Sequence, residues 1–219
     1  MSNKPGAVSV LLVDDHAVVR EGYKRLLEKR GDITVIGEAA NASEAYEQFC
    51  KLAPQVVVMD IALPGVSGID AMRRMFARQP ETRVLIFSMY EEAIFASRAL
   101  RAGASGYVTK ASAPNVLVEA VHAITQGKRY ISADIAQKLA LRNVVSDTDA
   151  NDGLSAREFE VLRLLVQGLS VRDIAQSMGL NPKTVANHQS AIKQKLGADT
   201  AVQLLRIAEG LGLDDDRPT

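Results

Sequence analysis

What most constrains this chain is a repeat of short apolar runs set between amphipathic segments. Residues 8–13 (VSVLLV), 34–38, 56–59 (VVVM), 84–87 (VLIF) and 105–108 read as strands. Between them, residues 17–30, 43–52, 67–79, 91–102 and 114–126 carry apolar residues at helical spacing. VVVM and VLIF have no polar residue to turn toward water, so both faces of their sheet must be covered. Five strands with helical crossovers predict a doubly wound parallel α/β sheet. Start signals sharpen the helices: Asn41 with Glu44 three residues on, Ser67 and Ser112 as N-caps, and Pro114 within a first turn. Gly103 is the expected stop of the fourth helix.

The pattern changes after this sheet. SADIAQKLAL, from Ser132, predicts a short helix. Residues 146–153, SDTDANDG, have no apolar anchor and read as a linker. Residues 154–213 are purely helical in pattern and divide into four helices, the first two started by Ser155 with Glu158 and by Ser170, the third by Asn181 and Pro182. The domains expected are 8–128, a linker with a short helix over 129–152, and a small all-α domain over 153–213.

Composition excludes several classes. Lys+Arg and Asp+Glu are equal at 26 each, so any affinity for nucleic acid must come from local charge. Cys50 is the single cysteine, which leaves no intrachain disulfide. The apolar run at 8–13 ends in Asp14 and Asp15 and has no basic stretch before it worth calling a leader region. No run approaches the roughly 20 residues a membrane helix needs, so a soluble cytoplasmic protein without membrane contact is expected.

In a parallel sheet of this kind, ligands bind at the carboxyl ends of the strands. The first strand ends in Asp14 and Asp15, the third in Asp60, the fourth in Ser88, and Lys110 follows the fifth. Taken singly, each residue could be a helix cap or a solvated strand end. Together they place three mutually repelling carboxylates, a hydroxyl and an ammonium at one end of the sheet. Oxygen ligands suit Mg²⁺, and a carboxylate beside it is a nucleophile toward phosphorus whose charge transfer the metal and lysine stabilise.

LLVDDH, VVVMDIALPGVSGID, IFSMY and GASGYVTKA resemble the receiver domain of bacterial two-component response regulators, over about residues 8–127. The resemblance implies a flavodoxin-like fold in which Asp60 accepts phosphate from a sensor histidine kinase. It implies Mg²⁺ bound by Asp15, Asp60 and the carbonyl of Ala62, with Asp14 acting mainly through water. Ser88 would swing toward the phosphoryl group, Tyr107 would move inward behind it, and Lys110 would pair with the phosphoryl oxygens. Many receivers follow this lysine with a cis proline. Here Ala111 stands in that place, and a cis Lys110–Ala111 bond is the expectation, at a cost of roughly 2.5–4 kcal/mol.

The helical segment contains two short helices joined by a Gly-containing turn, the helix-turn-helix pattern. Its second helix carries Lys183, Lys193 and Lys195 with no acidic residue, a local charge of +3 that suits the major groove, though lysines also line solvated bundle helices. The stretch LSAREFEVLRLLVQGLSVRDIAQSMGLNPKTVANHQSAIKQKLGA resembles the LuxR/NarL-type domain of the NarL/FixJ family. That resemblance puts Val185, Ile192 and Leu196 in the core. It puts Thr184, Ala186, Asn187, Ser190 and Lys193 on the DNA side, with Arg172 and Lys183 holding the backbone. Many relatives have a basic residue at the position of Ala186, so no operator sequence transfers. The resemblance implies that the fourth helix dimerises through its stripe of Ala201, Val202, Leu204, Leu205, Ile207 and Leu211, though the same stripe could simply complete the four-helix core.

The function implied is a phosphorylation-regulated transcription factor rather than an enzyme. Its partners would be a histidine kinase, double-stranded DNA, RNA polymerase and, when active, a second copy of the chain. In the resting state the receiver is expected to cover the recognition helix. A Mg²⁺-dependent phosphohydrolase shares the acidic site but lacks a substrate cap and leaves the helix-turn-helix unexplained. A constitutive DNA-binding protein with a silent receiver would not need all the site residues present.

Overall fold

The computed structural model describes residues 6–64, 66–145, 154–196, 198, 200 and 203–204. The chain divides into two compact units between Val145 and Ser146. In the first unit β1 (Val8–Val13), α1 (Ala17–Glu28), β2 (Ile33–Ala39), α2 (Ala42–Leu52), β3 (Val56–Met59), α3 (Gly68–Arg78), β4 (Val84–Ser88), α4 (Ala93–Arg101), β5 (Gly106–Thr109) and α5 (Pro114–Thr125) keep the expected alternation. All the strand pairs are parallel. The sheet order is β2-β1-β3-β4-β5-β6, with β6 (Tyr130–Ile131) added at the edge.

Both faces of the sheet are buried, which is why its strands are apolar throughout. Val10, Leu12, Val56, Val58, Leu85, Phe87 and Val108 pack with Leu27 of α1 and Leu117, Val121 and Ile124 of α5. The alternate residues Leu11, Val57, Met59, Ile86 and Tyr107 point the other way and are equally buried. Fully burying a side chain of this size is worth about 1.5–3 kcal/mol.

The sheet has six strands where the sequence pattern gives five. A two-residue strand is too short to leave a periodic signal. It pairs Tyr130 with Gly106 and Ile131 with Tyr107. A Cβ on Gly106 would lie 2.4 Å from the carbonyl oxygen of Tyr130, so the glycine is what lets this strand close on the edge.

A second difference follows directly. The helix expected inside the linker is α6 (Ala133–Val145), and it falls within the first compact unit. α6 packs on α4 and β5. Ile135 is its fully buried anchor, the Thr109 hydroxyl donates to Asp134 at 3.1 Å, and Lys138 reaches Glu91 at 3.1 Å. Ser112 also differs from expectation. The N-cap of α5 is Ala113, and the Ser112 hydroxyl pairs with that of Thr109 at 2.9 Å instead. Pro114, with its fixed φ and no N–H to satisfy, starts the helix without a side-chain cap.

The second unit contains α7 (Ala156–Val166), α8 (Val171–Ser177) and α9 (Pro182–Leu196). Ser155 and Ser170 each form a reciprocal capping box, with Glu158 and Asp173. Phe159, Val161, Leu162, Ile174, Val185 and Ile192 make the core. Of the expected fourth helix, Gln203 and Leu204 are helical and Leu204 is buried. Ala201, Val202, Leu205, Ile207 and Leu211 lie outside the described residues.

Candidate functional site

The reversal of strand order falls between β1 and β3, where a doubly wound sheet opens a crevice at its carboxyl edge. Val13 and Met59 are register partners, so Asp14 and Asp60 follow side by side. The Asp60 amide donates to the Val13 carbonyl at 3.0 Å, fixing that neighbourhood. Both aspartates are buried, at 2% and 3% exposure.

Lys110 stands between them. Its Nζ lies 2.6 Å from Asp14 Oδ2 and 2.5 Å from Asp60 Oδ2. The remaining oxygens are also engaged: the His16 amide donates to Asp14 Oδ1 at 2.9 Å and the Ala62 amide to Asp60 Oδ1 at 3.2 Å. Burial disfavours the Lys110 ammonium, but the Asp60 and Asp14 carboxylates outweigh it and leave its pKa above the ordinary lysine value. The repulsion between these carboxylates is thus met within the chain by one buried cation.

Asp15 is turned outward at 31% side-chain exposure, with Nδ1 of His16 2.7 Å from its Oδ1. Asp14, Asp15 and His16 can bring one ligand atom each within 4.8 Å of one another. Carboxylate oxygens at this spacing fit a hard divalent cation. His16 occupies the N-cap position of α1, with no side-chain cap hydrogen bond.

Ser88 ends β4 and is fully buried, and its Oγ accepts weakly from the Tyr90 amide at 3.5 Å. Tyr107 is fully buried and donates to the Tyr90 carbonyl at 2.7 Å, so its ring already occupies the inward position. Burial raises the Tyr107 pKa well above the ordinary tyrosine value, with Glu92 and Asp60 adding to it. Among the described residues no peptide bond is cis, which corrects the expectation for Lys110–Ala111. Without the tertiary amide of proline, the trans form keeps its full advantage, and the turn closes through the Ser112 amide on the Thr109 carbonyl at 3.1 Å.

In the second unit α9 has a buried side and an exposed side. Val185 and Ile192 are buried and Leu196 is half-buried, whereas Lys183, Ala186, Asn187 and Ser190 are exposed. Thr184 and Lys193 are half-buried and Arg172 on α8 is exposed. The Ser190 hydroxyl donates to the Ala186 carbonyl at 3.1 Å. Lys195 departs from the pattern: it is exposed but its Nζ lies 2.7 Å from Glu158 Oε2, so one of the three lysines of α9 is paired with a carboxylate of α7. Sequence reasoning missed three participants: Arg20 beside Asp14, Thr109 as the anchor of α6, and Glu158 as the partner of Lys195. The Ser155 and Glu158 spacing signals a cap and carries no sign of a partner distant in sequence.

Residues 10–122 match the family model of the response regulator receiver domain, and residues 152–208 match that of bacterial regulatory proteins of the luxR family. Response regulator GacA of Pseudomonas protegens is 35% identical over 209 residues, spanning 95% of this chain and 98% of its own. A two-component response regulator of the LuxR family from Aurantimonas sp. has a crystal structure 48% identical in sequence, with a TM-score of 0.62, covering 63% of this chain and 99% of that one. RcsB from Salmonella enterica serovar Typhimurium, solved bound to promoter rprA in the presence of phosphomimetic BeF3⁻, is 25% identical with a TM-score of 0.63, covering 91% of this chain and 97% of that one. Among the described residues no helix is long and apolar enough to cross a membrane. With both modules matched in order along nearly its whole length, the chain belongs to the two-component response regulators, transcription regulators rather than enzymes, that join a receiver to a luxR-type DNA-binding domain.

Proposed function

We propose that Asp60 is the phosphoacceptor of a cytoplasmic transcription regulator and that its phosphorylation controls DNA binding by the second unit. The observation that carries this reading is the placement of Lys110, 2.5 Å from Asp60 and 2.6 Å from Asp14 in a buried pocket. An Asp60 oxygen attacks the phosphorus of a phosphohistidine on a sensor kinase. The phosphorus–nitrogen bond breaks, and its electron pair returns to the imidazole. Lys110 then exchanges a carboxylate partner for a phosphoryl oxygen. Asp14, Asp15, Asp60 and the Ala62 carbonyl would hold Mg²⁺, which supplies neutralisation of the phosphoryl oxygens when bound. Ser88 and Tyr107, linked through Tyr90, register the new charge at the start of α4.

The output is a two-fold dimer on DNA. Ala186 and Asn187 face base edges, Asn187 toward adenine. Thr184 and Ser190 line the same face, and Arg172, Lys183 and Lys193 meet phosphates. Val202 and Leu205 belong to the dimer contact. RNA polymerase is the downstream partner of such a regulator.

The test is intact mass after incubation with acetyl phosphate and Mg²⁺, on the wild type and on Asp60→Asn. The expected result is a gain of one phosphoryl group in the wild type that the variant lacks, with tighter DNA binding afterward. An equal gain in both proteins would move the acceptor elsewhere.

A further inference from the structure

Asp14 is held at every polar atom. Its amide donates to the Ala39 carbonyl at 3.1 Å, its Oδ1 accepts from His16 and its Oδ2 from Lys110. The fourth atom, its carbonyl oxygen, accepts from Nη1 of Arg20 at 2.5 Å. Arg20 lies on the first turns of α1, outside the acidic pocket. The same guanidinium donates from Nε to Glu38 Oε2 at 3.1 Å, while Lys24 donates to the other Glu38 oxygen at 2.7 Å. Glu38 is near the end of β2, in register with Leu12. The Lys24 hydrogen bond, working against burial and aided by Arg20, holds the Glu38 pKa below the usual carboxylate value, so Glu38 stays an ionised acceptor. Arg20 is 16% exposed, unlike the solvated surface pairs that contribute little.

We propose that Arg20 is a positioning residue for the acidic pocket: its forked guanidinium ties the main chain of Asp14 to Glu38 and so sets where the Asp14 and Asp15 carboxylates stand. This rests on the reading of that pocket as the cation and phosphoacceptor site. The chain turns sharply between β1 and α1, and the two aspartates sit on that turn. A shift of its carbonyl re-aims both side chains together. A planar fork serves two acceptors at once, whereas a lysine ammonium is a point donor on a flexible stem. Charge and geometry can therefore be separated. Removing the positive charge favours a bound cation, whereas releasing the turn disfavours it.

The experiment uses the full-length protein as wild type, Arg20→Lys, Arg20→Met and Glu38→Gln. Mg²⁺ is titrated calorimetrically into each unphosphorylated protein, and thermal melting is recorded without Mg²⁺. Arg20→Lys keeps the charge and loses the fork. It is expected to weaken Mg²⁺ binding about tenfold, the low end of the loss when an outer-shell partner is removed. Glu38→Gln shifts affinity in the same direction, but it also removes a negative charge, so its loss counts only beside that of the charge-conserving Arg20→Lys. The rate of phosphorylation by acetyl phosphate falls in Arg20→Lys at low Mg²⁺ and recovers at saturating Mg²⁺. Affinity equal to wild type in Arg20→Lys and Glu38→Gln, whether or not melting falls, overturns the proposal and makes Arg20 a structural staple between α1 and β2. If Arg20→Met does not fold, these two variants decide alone. A wild type that binds no Mg²⁺ overturns the pocket reading itself, a result distinct from variants that bind as the wild type does.

Discussion

At the scale of single residues, the loop that follows Asp60 depends on the absence of a side chain. A Cβ at Gly68 would stand 1.9 Å from the carbonyl oxygen of Asp60, because the first turn of α3 packs directly on that backbone. Nothing at this distance can yield except the loop itself. Gly68→Ala is therefore expected to destabilise the first unit by roughly 1–3 kcal/mol, as overpacking does, and to slow phosphorylation of Asp60. Gly22, inside α1, has nothing within 4 Å of its Cβ position. Gly22→Ala is expected to stabilise by about 0.5–1 kcal/mol through helix propensity. Urea unfolding of both variants checks the contrast, and a Gly68→Ala protein as stable as the wild type would remove the loop argument. In the sequence Gly68 stands as the residue after the Ser67 cap, inside the expected helix. Its steric role was not legible there, since it depends on a backbone atom eight residues away.

At the scale of elements, helices were legible where caps and periodicity agreed. α2, α3, α7 and α8 begin at residues whose side chains accept the backbone hydrogen bonds expected of them. α6 was legible as a helix but not in its allegiance, because Asp134 and Lys138 find partners in Thr109 and Glu91, elements earlier in the chain. The α7 cap has a measurable pH signature. Burial alone would raise the Glu158 pKa, but Lys195 and the Ser155 amide and hydroxyl outweigh it, and the pKa lies below its ordinary value. A depressed carboxylate contributes stability above its unfolded pKa and loses it as pH falls through the folded value. Wild type should exceed Glu158→Gln in unfolding stability at pH 7. The difference should shrink below about pH 4.3, the unperturbed glutamate value. A difference independent of pH would mean that Glu158 acts through packing rather than charge.

At the scale of the whole molecule, a chain of zero net charge has to bind a polyanion through local charge. Arg172, Lys183 and Lys193 are the cations proposed for phosphate contact, whereas Lys195 is engaged by Glu158. Three contacts in each of two protomers give a slope of about −5 for log affinity against log salt, at roughly −0.9 per phosphate neutralised. Fluorescence anisotropy with an operator fragment measures it. A slope near about −7 would put Lys195 on the DNA, and one near about −3 would mean that a single protomer is engaged. The sequence by itself determined the alternation of strands and helices, the two modules and their order, and the residues at the strand ends, because apolar periodicity, caps and the carboxyl-edge rule are local or topological. Only the tertiary structure decided that Lys110 neutralises Asp14 and Asp60 together, that Arg20 joins the Asp14 carbonyl to Glu38, and that α6 packs within the first unit. Lys110 lies 96 and 50 residues from its two partners, Arg20 lies 18 from Glu38, and α6 meets Thr109 and Glu91 from 25 and 47 residues away, so no pattern within one segment could carry these contacts.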